Sequence, residues 1–228
     1  MTHPAIEAAL KYLHDRGSMI PLSIVVGLNI KEMKRAGEYQ SIRQEMWAAV
    51  YDAVYDFLSG NAQVGTYSNK MSTAVSKAYI EAADTGYEDG GGTLPLDEDT
   101  AAWARAELDA QFGFIDSLFE TLKQLRKEDD VDIIHEAFGH ANAYSSSLDG
   151  YYNNIKLRAA GNKMLTFTQV KGTKESCDDC VRLRGQRHRA SWFVAHDVVP
   201  PTGGGLACSG GGHCGDVLVD DDGEEFTI

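Results

Sequence analysis

Four cysteines, all that the 228-residue chain contains, lie in its last quarter: Cys177-Asp-Asp-Cys180, then Cys208 and Cys214. The first pair encloses two residues, 27 residues follow, and the second pair encloses five. Thiolates at this spacing suit a single soft cation. A Cys-x-x-Cys turn points two sulfurs at one ion, a second knuckle completes a tetrahedron, and a filled shell of this kind is what structural zinc uses. His213, beside Cys214, is the alternate fourth donor; His188 and His196, in the intervening loop, are weaker ligands. The glycines of Cys208-Ser-Gly-Gly-Gly-His-Cys214 would let the backbone curl around an ion without Cβ clashes. The competing chemistries for four thiols are one or two disulfides, in any of three pairings, or buried thiols. Met1-Thr-His-Pro lacks the charged and apolar regions of a signal peptide. Disulfides persist mainly in oxidising compartments, so metal is the favoured reading and synthesis in the cytosol is expected.

Two other stretches could do chemistry and fit it badly. His135-Glu-Ala-Phe-Gly-His140 resembles a zinc-protease helix, but its histidines are five apart, about 140° around a helix instead of on one face. Gly86, Gly90, Gly91 and Gly92 fall in a glycine-rich stretch over residues 85–95 without the Lys-Ser/Thr ending of a phosphate-cradling loop. That stretch reads as a linker.

Charge narrows the partners. The net charge of −13 opposes the phosphate-neutralising contacts that usually drive nucleic-acid affinity. The distribution is uneven: residues 163–192 hold seven basic residues (Lys163, Lys171, Lys174, Arg182, Arg184, Arg187, Arg189) against three acids, whereas the chain after Gly215 has six acids and no base. The basic run is expected to pair with this acidic tail more than to form a free patch. No membrane segment is expected, because the longest apolar run, residues 20–30, contains Pro21, Ser23, Gly27 and Asn29, and a span needs about 20 apolar residues.

The elements that must position the cysteines fall in two parts. Pro4 suits the first position of a helix carrying Ile6, Leu10 and Leu13 and stopped by Gly17. Residues 20–30 are a buried extended segment or a plug. A helix over 31–58 follows, with Ile42, Met46, Val50, Val54 and Phe57 as its stripe and Gly60 as its C-cap. A third, over 62–83, turns Val64, Met71, Val75 and Tyr79 inward. Asp97 caps a fourth, which runs to residue 127 and presents Trp103, Phe112, Ile115, Phe119 and Leu122. A fifth starts near residue 130, with a break expected at 145–150, and stops at Gly161. From there the period changes: Leu165-Thr-Phe-Thr-Gln-Val170 alternates as a half-buried strand does, and Val194, Val198-Val199 and Val217-Leu-Val219 are its candidate partners. The fold class is α+β, with a mainly helical body over 1–160 and a small β-rich zinc-binding module over 161–228 that ends in the acidic tail.

The stretch over residues 167–218 resembles the carboxyl-terminal module of phage minor head proteins of the Mu F-like head-morphogenesis family. The resemblance is carried by a strand, Glu175-Ser-Cys177-Asp-Asp-Cys180-Val-Arg-Leu183-Arg-Gly185, Arg189-Ala-Ser-Trp192, the Pro200-Pro201 step and a final cysteine knuckle before a short strand. It covers about a quarter of the chain. The family commonly closes with a His-Pro-Asn-Cys-Arg-Cys-like run, and this chain departs from it there. The resemblance implies a non-enzymatic virion protein, made in the host cytoplasm, present in few copies near the portal and active in head assembly or inside the head. Its partners would be the portal or major capsid protein, in an oligomeric assembly, with at most a weak DNA contact. Two other classes compete. Arg182, Arg184, Arg187 and Arg189 around Trp192 would serve a nucleic-acid-binding zinc module. His188, His196, Asp197 or His213 around an incompletely ligated ion would serve a metal-dependent hydrolase.

Overall fold

The computed structural model describes residues 30–126, 131–169, 177–200 and 216–227. The expected first helix and the 20–30 segment lie outside these residues. Among the described residues, four long helices come first: α1 (Ile30–Leu58), α2 (Val64–Asp89), α3 (Glu98–Leu125) and α4 (Val131–Ala160). There follow β1 (Met164–Gln169), α5 (Asp178–Leu183), β2 (Arg187–Arg189), α6 (Ala190–Ala195) and β3 (Asp216–Val219). The fold is mainly helical with one small antiparallel sheet of order β2-β1-β3. Among the described residues, no helix is long and apolar enough to cross a membrane.

The chain forms two compact units, one of residues 1–78 and 108–145, the other of residues 79–107 and 146–228. In this division the described residues after Gly161 fall with the second half of α2, the start of α3 and the end of α4. In the first unit the α1 stripe is buried as its spacing requires, with Ile42, Met46, Val50, Val54 and Phe57 all under a tenth exposed. Tyr67 and Met71 of α2 and Ile115 and Leu122 of α3 are buried as well. Phe57, Tyr67 and Phe119 form a ring cluster with centroids 5.3 to 5.5 Å apart. Gly60, at φ +81°, ends α1 where a left-handed residue is needed.

The second unit contains the largest departure from the expected helix ends. Helix α2 continues past residue 83 to Asp89, through what reads in sequence as the start of a linker. Gly86 lies against α4: a Cβ there would come within 2.9 Å of the Tyr152 carbonyl oxygen. One helical turn on, a Cβ at Gly90 would overlap the Lys156 carbonyl and come within 2.6 Å of Ala159 Cβ. The two glycines admit the α4 backbone, and for Gly86, which lies inside α2, this packing offsets its poor intrinsic helix propensity.

Helix α4 also runs unbroken through residues 145–150. Leu148 is fully buried, and Ser147 Oγ lies 2.9 Å from the Tyr79 hydroxyl. A partner across the helices removes the serine's competition for its own backbone. Gly161, at φ +47°, stops the helix as expected, its N–H donating to Leu157 O at 3.1 Å.

Strand β1 alternates as its sequence does, burying Leu165 and Phe167. Its first partner is not a valine segment. It is Arg187-His-Arg189, an exposed edge strand; Val194 lies in α6, and Val198 and Val199 pack in the core without forming a strand. Strand β3 pairs on the other edge, with Asp216 opposite Gln169. The acidic tail is also part of the fold. Phe226 enters the core cluster and donates its N–H to Leu218 O at 2.7 Å, and Thr227 Oγ1 accepts from Leu218 N at 3.0 Å.

Two predictions follow from these helix contacts. Gly90→Ala lowers stability by about 1–3 kcal/mol through overpacking against α4, whereas Gly113→Ala, in α3 with open space around it, raises it by about 0.5–1 kcal/mol; urea unfolding of both variants checks the opposite signs. Asp97 caps α3, its Oδ1 accepting from Thr100 N at 2.9 Å and its Oδ2 from the Thr100 hydroxyl at 2.7 Å. These bonds hold its carboxyl below the usual range. The stabilisation is therefore complete above the unfolded carboxyl value of about 3.9 and is lost as pH falls through the lower folded value. Asp97→Ala should cost about 1 kcal/mol at pH 7 and progressively less on acidification, measured by thermal unfolding across that range.

Candidate metal centre

The first cysteine knuckle is built by α5. Cys177 occupies the N-cap position with extended backbone, and Val181 N–H donates to its carbonyl at 3.0 Å. Cys180 comes three residues later, so the helix start brings both side chains to one side. Their sulfurs lie 3.4 Å apart. That is far beyond the ~2.05 Å of a disulfide bond and within a few tenths of an ångström of the ~3.8 Å edge of a zinc–thiolate tetrahedron. Cys180 is buried in the cluster formed by Leu165, Phe167, Phe193 and Leu218, and half-buried Cys177 packs against it. The pair is held by the core, and its donor set fits a thiophilic ion.

Cys208, His213 and Cys214 lie outside the described residues. The chain on either side of them is described. At the entrance, Val198, Val199 and Pro200 are buried, and the fully buried Asn153 donates from Nδ2 to the Pro200 carbonyl at 3.1 Å. At the exit, Asp216 pairs with Gln169, the last residue of β1 before the chain proceeds to Cys177. Cys214 precedes Asp216 by two residues, a span of at most about 7 Å. The residue at which the chain leaves β1 toward the first knuckle and the residue at which it enters β3 after the second are therefore paired at one end of the sheet. Among the described residues, no three His, Cys, Asp or Glu side chains gather as an ion would require.

The basic run is paired as its charge pattern predicts. Lys163 bonds Asp220 at 3.0 Å, Arg184 bonds Asp216 at 2.9 Å and Arg187 bonds Asp221 at 2.6 Å, all three acids coming from the tail. Arg182 pairs with Asp179 at 3.0 Å, and Arg189 donates to Asn162 Oδ1 at 3.3 Å. Burial works against the Asp220 carboxylate, but the Lys163 ammonium and the N–H groups of Glu224 and Asp222 hold its pKa below the usual range. Lys171 and Lys174 lie outside the described residues.

His188 is on β2, not in a loop, and His196 directly follows α6. Between them stands Trp192, with His188 stacked at 3.8 Å and 13° and His196 at 4.1 Å and 21°. Two rings so close cannot share one face of the indole, so they cover opposite faces. His188 Nε2 lies 3.1 Å from Gln186 Oε1, and His196 Nδ1 donates to the Trp192 carbonyl at 2.8 Å. With the indole between them, the two imidazoles cannot bind a common ion, and Trp192 offers no open face to a nucleobase. The spacing of 188, 192 and 196 carries this stack in the sequence, since a strand end followed by a helix can bring such residues together. The His135–His140 stretch is helical within α4, and its histidine side chains lie outside the described residues.

The chain matches no family model, no curated protein and no solved structure, so the resemblance at the cysteine stretch is carried by its motif alone.

Proposed function

We propose that the chain is a non-enzymatic structural protein of a phage particle, a minor head protein acting beside the portal in head assembly or at the head interior. Its carboxyl-terminal module is closed by one structural zinc ion on Cys177, Cys180, Cys208 and Cys214, with His213 as the alternate fourth donor. The observation that carries the zinc assignment is the Cys177–Cys180 pair, two sulfurs 3.4 Å apart on a core-anchored helix start. The virion role rests on the motif that surrounds this pair. Among the described residues, the cluster behind the knuckle has eleven buried members, a small core of the kind that a metal commonly supplements. A filled thiolate shell leaves no coordination position to activate water, which suits a staple and not a hydrolase. Portal or major capsid protein is the proposed partner.

Purified, chelator-washed protein should hold one zinc per chain and show four thiols under denaturing conditions without added reductant. Cys177→Ser should release the zinc and collapse the near-ultraviolet dichroism of the stacked Trp192, since structural zinc contributes on the order of 10 kcal/mol to folding. Absence of both metal and thiols would replace the site with disulfides. The particle role has its own test: virions banded from cells that carry this gene should contain the chain at a few copies per particle, and banded particles lacking it would remove the virion assignment while leaving the zinc site standing.

A further inference from the structure

We propose that Cys177 and Cys180 form a reversible two-electron redox site that takes low-molecular-weight disulfides, with Cys177 as the attacking thiol and Cys180 as the resolving one. The proposal uses this pair alone and goes beyond the zinc reading, which concerns what the sulfurs bind and not what oxidises them. Position separates the two thiols. Cys180 is 1% exposed and sits among Leu165, Phe167, Phe193 and Leu218, whereas Cys177 is half-buried at the margin of that cluster. Reactivity at a thiol requires access as well as ionisation. An incoming disulfide therefore meets Cys177 before Cys180.

The geometry supplies the second step. The two sulfurs lie 3.4 Å apart, within the ~3–3.5 Å of a reacting pair already in place. The turn that carries them is fixed from both ends, because Val181 N–H donates to Cys177 O at 3.0 Å and Arg184 N–H donates to Cys180 O at 3.1 Å. First the Cys177 thiolate attacks one sulfur of the small disulfide, forming a mixed disulfide and expelling one thiolate. The Cys180 thiolate then attacks Cys177 Sγ, forming the Cys177–Cys180 bond and expelling the other. The pair gives up two electrons and two protons, and both halves of the small disulfide leave as thiols. Asp178 and Asp179 stand between the cysteines in a chain of net charge −13, which disfavours an anionic disulfide. Uncharged hydroxyethyl disulfide is therefore the probe.

The test treats the full chain, as purified, with this probe, quenches it with acid, alkylates the remaining thiols and maps the tryptic peptides. Trypsin cuts after Lys174 and Arg182, so Cys177 and Cys180 leave together on residues 175–182, while Cys208 and Cys214 leave on residues 190–228. At early times the mixed disulfide should sit on Cys177 in excess of Cys180 by about tenfold or more, a preference that the urea-unfolded chain should lose. At the end point the 175–182 peptide should lose both alkylations and carry no adduct, as an internal disulfide that dithiothreitol reverses. Cys180→Ser should stop at the adduct on Cys177, and the wild-type time course decides the matter should that variant not fold. Disulfides that join the two peptides, or an early adduct shared equally between Cys177 and Cys180 in the folded chain, would overturn the proposal. Zinc release is followed in parallel with a chromogenic chelator. A chain that holds zinc and keeps both thiols of the 175–182 peptide open to alkylation sinks the proposal and leaves the zinc reading standing; a metal-free chain whose peptide closes does the reverse.

Discussion

Strand β1 must pair along both edges while burying Leu165 and Phe167, and this double demand governs the described chain after Gly161. Its amino-terminal half takes β2 as a partner, and Phe167 extends that edge by donating to Gln186 O at 3.0 Å and accepting from Gly185 N at 2.9 Å. Gly185 sits at φ +78°, where an L side chain would be strained, and the turn there lets the chain reverse onto β1. The opposite edge takes β3. The connection from β1 to β2 carries the first cysteine pair, and the connection that ends at β3 carries the second. The sheet therefore places the end of β1 and the starts of β2 and β3 at one end.

Helix packing in the second unit imposes a related constraint. Gly86 and Gly90 bring α2 against the α4 backbone, and the Tyr152 hydroxyl bonds the Asp89 carboxylate at the end of the same helix. Tyr151 lies between Tyr79, at 4.5 Å, and Trp103, at 5.5 Å, while the Arg158 guanidinium stands 4.5 Å over the Trp103 ring. Further along α4, Asn153 holds Pro200 and Leu157 joins the core cluster of the cysteine module. The end of α4 thus packs against both α2 and the core cluster of the cysteine module.

Features governed by local chemistry were legible in the sequence. The α1 stripe, the Gly60 and Gly161 stops, the Asp97 cap and the alternation of β1 each depend on a few adjacent residues, and the basic run meets the acidic tail because opposite charge is a property of composition as much as of position. Features governed by distant neighbours were not. Gly86 breaks a helix on propensity and builds one on packing, because the deciding atoms belong to α4. Arg187-His-Arg189 has no apolar alternation, since an edge strand needs only its backbone ladder. Phe226 stands alone among acids, and only the position of Leu218 shows that its burial is available. At the candidate site, the type and spacing of Cys177 and Cys180 were sufficient to anticipate their approach, whereas the Asp216–Arg184 contact spans 32 residues and has no local signature.

A structural thiolate site and a catalytic one place opposite demands on the surrounding residues. Catalysis needs a vacant coordination position and a base that can reach it. Among the described residues of the module, Asp216 accepts from Arg184, Asp179 accepts from Arg182, and His188 and His196 flank Trp192. Each such contact gives a polar or aromatic group a fixed partner and so stiffens the frame around Cys177 and Cys180. Rigidity of this kind would help the proposed zinc site, because it would limit the conformations that an ion must select. The same contacts engage Asp216, Asp220 and Asp221 of the tail with Arg184, Lys163 and Arg187 of the module.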